Sequence, residues 1–198
     1  MNNTAKYYTN GTLQAAPAVT QGPPLSITGI SVPAGGNATV FYEAALNEYA
    51  HLGTEASVTN TATVSGTGIT PVTATETVNA EAAPNLAITK SVSPVPVTEN
   101  GTLTYTFRIQ NYGSVAATNT TGVVITDTYA PGLNTLTVAL TCTAWTATTD
   151  YTYNEATGTF SSTAGAITVP AATYTQDSTT GAWVVTPGES TLVITGTV

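Results

Sequence analysis

Three side chains in this sequence read as turned toward an apolar interior, and together they could react. Lys90 is in period-two phase with Leu86, Ile88 and Val92; Asp127 shares a face with Val123 and Ile125; Asn60 shares a face with Val58, Ala62 and Val64. Buried lysine and aspartate are rare unless they are paired. An amine, a side-chain amide and a carboxylic acid in one core are the reagents of an isopeptide bond. A plainer arrangement uses the same residues: Lys90 reaches from a strand end to an ion pair with Asp127, and Asn60 caps a turn or bonds to backbone. Sequence alone leaves both arrangements open.

Little else points to chemistry. The single histidine, His51, lies near an expected turn with no metal-ligand pair beside it, and no serine sits in a nucleophile elbow. The one cysteine, Cys142, is in phase with Leu136, Val138, Leu140 and Ala144 and reads as a small buried hydrophobe; a lone cysteine allows no intrachain disulfide. Phosphate-binding glycine loops and calcium loops are absent from the sequence, so no cofactor, metal or enzymatic activity is expected.

Charge narrows the partners. Only Lys6, Lys90 and Arg108 are basic, against 11 acidic residues. Nucleic acid and anionic membrane surfaces both demand clustered Lys and Arg, so neither is an expected partner. No apolar run reaches the roughly 18 residues that crossing a membrane requires, so no membrane insertion is expected. Threonine supplies 45 residues, a β-branched excess that favours strands.

The elements that would position these side chains are strands. Thr102–Gln110 alternates cleanly, with Leu103, Tyr105, Phe107 and Ile109 on one face and Thr102, Thr104, Thr106, Arg108 and Gln110 on the other. Ala38–Leu46, Ser57–Ser65, Leu86–Val92, Gly122–Asp127, Leu136–Ala144, Ile167–Val169 and Thr191–Val198 read similarly. Turn signals at Pro33–Gly36, Glu99–Gly101, Asn111–Gly113, Pro131–Gly132 and Pro187–Gly188 separate them. Many short strands with frequent Gly/Pro turns predict an all-β protein, an antiparallel β-sandwich of immunoglobulin-like type.

The strands also repeat. Gly188–Val198 echoes Gly36–Leu46, Tyr151–Asn154 echoes Tyr7–Asn10, and Tyr174–Gln176 echoes Val19–Gln21, in the same order. Two tandem units follow: residues 1–80 supply the later strands of one sandwich, 81–84 a linker, and 85–198 the early strands of the next. The first unit then lacks its early strands and the second its closing strands. The segment missing from the first unit is longer than one donated strand. Either the chain belongs to a longer protein, or the first 80 residues form a smaller complete domain.

Asn85-Leu-Ala-Ile-Thr-Lys-Ser-Val92, Glu99-Asn-Gly-Thr-Leu-Thr-Tyr-Thr-Phe107 and Val123-Val-Ile-Thr-Asp-Thr-Tyr-Ala-Pro-Gly-Leu133 resemble a repeat of bacterial surface proteins. The family is the "domain of unknown function eleven", an Ig-like or prealbumin-like module. Val58-Thr-Asn-Thr-Ala-Thr-Val-Ser-Gly66 is similar to its closing strand, although here that strand precedes the opening one. The resemblance spans most of residues 38–135 and implies a non-enzymatic structural or adhesive role at a bacterial cell or spore surface. The Lys90, Asn60 and Asp127 trio likewise resembles the one behind isopeptide bonds inside Gram-positive adhesins and pilins, and the resemblance implies a buried, neutral Lys90 amine attacking the Asn60 amide while a protonated Asp127 shuttles the proton.

The expected function is therefore a structural subunit of an extracellular fibre or surface array, assembled head to tail from identical subunits by strand complementation. The expected donor is Ser57–Val78, with Val58, Asn60, Ala62 and Val64 on its docking face. The expected acceptor is an open edge at Thr191–Val198, lined by Leu192, Ile194 and Val198. The other reading is a surface adhesin binding a host glycan or protein, with Trp145 and Trp183, out of phase with their apolar neighbours, as exposed contacts.

Overall fold

The computed structural model describes residues 5–22, 24–51, 53 and 56–198. As the alternation predicts, the protein is all-β: its strands pair antiparallel throughout, and the helical structure among the described residues is one 3-10 turn at Asn119–Thr121. The chain falls into two compact units, Met1–Asn47 and Glu48–Val198.

In the first unit, β1 (Lys6–Thr9) lies between β2 (Thr12–Leu13) and β5 (Ala38–Phe41), while β3 (Ala18–Thr20) and β4 (Ser26–Thr28) form a separate hairpin. The β1–β2 connection is Asn10-Gly11, with φ of 49° and 78°. An Asn-Gly pair tolerates these left-handed angles, which a two-residue hairpin turn demands. Tyr7 is buried, and its hydroxyl both donates to the Ser31 carbonyl and accepts from the Ser31 N–H at 2.9 Å.

The second unit begins with a long hairpin, β6 (Ser57–Gly66) and β7 (Ile69–Asn79), turning at Gly68 (φ 75°). Residues 80–85 carry no strand. There follow β8 (Leu86–Ser93), β9 (Thr102–Asn111), β10 (Thr126–Thr128), β11 (Asn134–Leu140), β12 (Thr143–Ala144), β13 (Tyr151–Asn154), β14 (Thr159–Ser162), β15 (Thr173–Gln176), β16 (Trp183–Thr186) and β17 (Gly188–Thr197). A five-stranded sheet, β12-β11-β17-β9-β8, faces a three-stranded one, β10-β14-β13. Leu103, Phe107 and Ile109 from β9, Leu192 and Ile194 from β17, and Phe160 from β14 meet in one apolar core. That shared core makes the two sheets a sandwich.

One polar residue pins the end of this core. Asn111, wholly buried, uses its full side-chain capacity: Nδ2 donates to the carbonyls of Val115 (2.8 Å) and Pro170 (3.0 Å), while Oδ1 accepts from the N–H groups of Asn85 and Gly113 (both 2.9 Å). It thereby ties the entry of β8, the turn after β9 and the approach to β15 together. Gly113 fits because the backbone closes on it: a Cβ there would lie 2.1 Å from the Ala83 carbonyl oxygen.

Several expectations change. Cys142 is exposed, not buried. Alternation stops at Leu140, which pairs with Thr143, leaving Thr141 and Cys142 as a two-residue turn with φ of 45° and 69°. Gly122–Asp127 yields only the short strand β10, and Ile167–Val169 contributes a single bridge, Ala117 with Val169, while its apolar residues still enter the core. Trp145 packs against the core instead of standing free. The donor segment Ser57–Val78 forms a hairpin, folded back at Gly66-Thr-Gly68.

Candidate assembly interface

One side of the sandwich is open. β8 ends the five-stranded sheet and β10 ends the three-stranded one, and the outer edge of each is unpaired among the described residues. Between them runs a groove of about 370 Å³, with Leu86, Ile88 and Ile109 on one wall and Val123, Val124 and Ile125 on the other. Register shows which face of β8 this is. Ile88 stands opposite Ile109 and Lys90 opposite Phe107, and cross-strand partners share a face, so Leu86, Ile88, Lys90 and Val92 point to the core side. Nevertheless Ile88 is 53% exposed, and Leu86 and Val92 are exposed as well. An apolar core face left wet in this way is an unfinished layer.

The structure brings Lys90 and Asp127 together. Nζ lies 2.5 Å from Asp127 Oδ2. The pair spans the open side from β8 to β10, and Nζ also sits 4.9 Å from the centre of the Tyr105 ring and 5.4 Å from those of Phe107 and Tyr129. Three aromatic faces around an ammonium hold it electrostatically and shut out part of its water. The Tyr129 hydroxyl is buried and has no partner of hydrogen-bond geometry. Burial first, then the neighbouring Asp127 carboxylate, raises the phenol well above its ordinary pKa.

Asn60 is not part of this cluster. It lies on β6 opposite Glu76 of β7, in an exposed stretch of the long hairpin. Val58, Ala62 and Val64 share its face, and their partners are Val78, Ala74 and Val72. Val64, Val72 and Val78 are 65%, 65% and 71% exposed. The opposite face is a threonine ladder, with hydroxyl hydrogen bonds Thr59–Thr77 (2.9 Å) and Thr61–Thr75 (3.0 Å). The hairpin is thus an amphipathic two-stranded ribbon whose apolar face is exposed.

The expected acceptor edge is corrected. Leu192 and Ile194 lie on β17, which pairs with β9 along its whole length and with β11 on its other side, so it is a central strand. Both side chains are wholly buried in the core, and Val198 packs against it. β8 and β10 are end strands of their sheets among the described residues, as β12 and β13 are at the other ends, and alternation does not single them out. The signal was present in Leu86, Ile88 and Val92, but alternation names a face without saying whether anything covers it.

Other reactive types are accounted for by packing. His51 stacks on Trp183 with ring centres 4.0 Å apart and meets Tyr174 edge-on at 6.2 Å, so Trp183 is half-buried within an aromatic cluster. Among the described residues no His, Cys, Asp and Glu cluster could hold a metal ion, and no helix is long and apolar enough to cross a membrane. No family model, curated protein or solved structure matches the chain.

Proposed function

We propose that the protein is a structural subunit of an extracellular fibre or surface array, built head to tail by the β6–β7 hairpin of one copy completing the sandwich of the next. The supporting observation is the coexistence of an exposed apolar ribbon and an unfinished apolar layer on one molecule. A hairpin entering the groove would pair its backbone with the free edge of β10 and lay its valines over β8. Donor and acceptor are different surfaces, so the contact is heterologous and propagates as a filament instead of closing a dimer. The resemblance of Asn85–Leu133 to bacterial surface repeats agrees with a role on a cell or spore surface.

Negative-stain microscopy of concentrated protein tests this reading. Filaments are expected from the native sequence. A Val64→Thr, Val72→Thr double variant, which keeps β propensity while making the ribbon face polar, should fold with an unchanged circular dichroism spectrum and remain monomeric. Monodisperse particles of the native protein at high concentration would sink the proposal.

A further inference from the structure

Of the two directions in which the ribbon can lie along β8, one brings the polar positions of both faces together, and that direction has a chemical consequence. From its base outward the ribbon presents Val58/Val78, Asn60/Glu76, Ala62/Ala74 and Val64/Val72. From its C-terminal end β8 presents Val92, Lys90, Ile88 and Leu86. Each face has one polar rung, second from the same end. Laid base to Val92, the polar rungs meet, the small alanines receive Ile88, and the remaining valines cover Val92 and Leu86. Reversed, Lys90 would lie beneath Ala62/Ala74 and the Asn60/Glu76 rung would sit on Ile88, leaving polar groups against hydrocarbon. With β6 next to β10, the neutral amide of Asn60 takes the interior place and Glu76 the rim, where a carboxylate costs less to keep hydrated.

We propose that Asn60 of the donor copy becomes covalently joined to Lys90 of the acceptor copy, an intersubunit isopeptide bond assisted by Asp127. This rests on the assembly reading above and goes beyond it. In the single molecule Lys90 already has its acid at 2.5 Å and its aromatic walls; what the site lacks is an amide and a cover. The hairpin supplies both. Covering the ion pair removes its water, and in a dry site a proton passes from ammonium to carboxylate because separated charges lose their solvation. The neutral Nζ then attacks Cγ of Asn60. The Nζ–Cγ bond forms, the Cγ–Nδ2 bond breaks, and Asp127 relays the proton lost by Nζ to the departing nitrogen, which leaves as ammonia. Nothing is oxidised or reduced, and no cofactor is consumed.

A denaturing gel with intact-mass analysis of assembled protein reads the outcome. The expected result is a ladder of bands resistant to detergent and heat, with one ammonia lost per link and a cross-linked peptide containing Asn60 and Lys90. Lys90→Arg and Asn60→Ala should each still form filaments under the microscope yet run as monomers of unaltered mass. Mixing those two variants should restore one bond, giving a covalent dimer and nothing larger, since only the first carries the amide and only the second the amine. Filaments of native protein that dissolve into monomers of full mass would overturn the bond while leaving the assembly reading intact. Ammonia loss from a species that stays monomeric would overturn it too, by placing the bond within one chain. Absence of filaments and of covalent oligomers alike would mark failure of the assembly reading itself.

Discussion

β17 and β6 are both ten-residue strands built largely from threonines and aliphatics, yet they end in opposite environments. In β17 every second side chain from Ser190 onward is buried, because β9 and β11 flank the strand and the three-stranded sheet lies across it. In β6 only Val58 is even half-buried, because among the described residues β7 is the one strand paired with it and no second sheet is packed across the ribbon. The difference shows that alternation specifies a face, whereas what fills the space opposite comes from topology. One side of the sandwich is finished by its own chain. On the other side β8 and β10 leave an apolar face uncovered, and the ribbon presents a second exposed apolar face.

The widest separation between these regions should appear on truncation. Leu192→Ala removes a wholly buried side chain from the finished side and should cost about 2–5 kcal/mol of folding stability, the range for large-to-small changes in a close-packed core. Val72→Ala on the ribbon should change the stability of the isolated molecule by no more than about 0.5 kcal/mol, as exposed positions do. Urea unfolding at a concentration too low for assembly checks both. Equal losses would mean that the ribbon face is covered within the monomer, and the contrast would fall.

Asn111 tests where the finished side begins. Asn111→Ala deletes its hydrogen bonds to Asn85, Gly113, Val115 and Pro170, leaving buried donors and acceptors unpaired at an expected cost of about 2–3 kcal/mol. The entry of β8 hangs on this residue. Hydrogen exchange at Leu86–Ile88 should therefore quicken more than at Leu192–Ile194. Uniform quickening would place β8 in the same cooperative unit as β17 and blur the boundary between the two sides.

Much of the finished side was legible from sequence. Leu103, Phe107 and Ile109 fall on the core face as their spacing requires, since a pleated strand admits no other outcome once one face is buried. The ion pair of Lys90 with Asp127 was also within reach, because two inward charges of opposite sign seek each other. Neighbours were less legible. Thr191–Val198 reads as an edge when the partners on each side are out of sight, and β14 escapes notice because Thr159-Phe-Ser-Ser162 carries too few aliphatics to show a period. Cys142 misled for a local reason: phase continues through a two-residue turn although the strand does not. Asn111 stood in a turn signal, but while Gly113 and Val115 are local to it, Asn85 and Pro170 lie 26 and 59 residues away and no local pattern gathers them.

The smallest effect lies on the outer face of the finished side, and it shows that the inner face carries the stability. Arg108 on β9 and Glu189 on β17 form an exposed pair at 2.6 Å. The Arg108 guanidinium, by hydrogen bond and charge, holds the Glu189 carboxyl below its ordinary value of 4.5, and the hydrogen bond from Glu189 leads in raising the pKa of Arg108. A carboxylate with a depressed folded pKa stabilises the fold fully above its unfolded value and loses that contribution as pH falls through the folded one. The contribution of Arg108, present below its own unfolded pKa, disappears only in strong alkali. Glu189→Gln should therefore lower Tm slightly at neutral pH, and the gap to the native protein should close as pH drops below 4.5. High salt should shrink the gap as well, since both groups face water. A gap as large as that of Leu192→Ala, or one that survives acid, would mean that the two faces of β17 share the load.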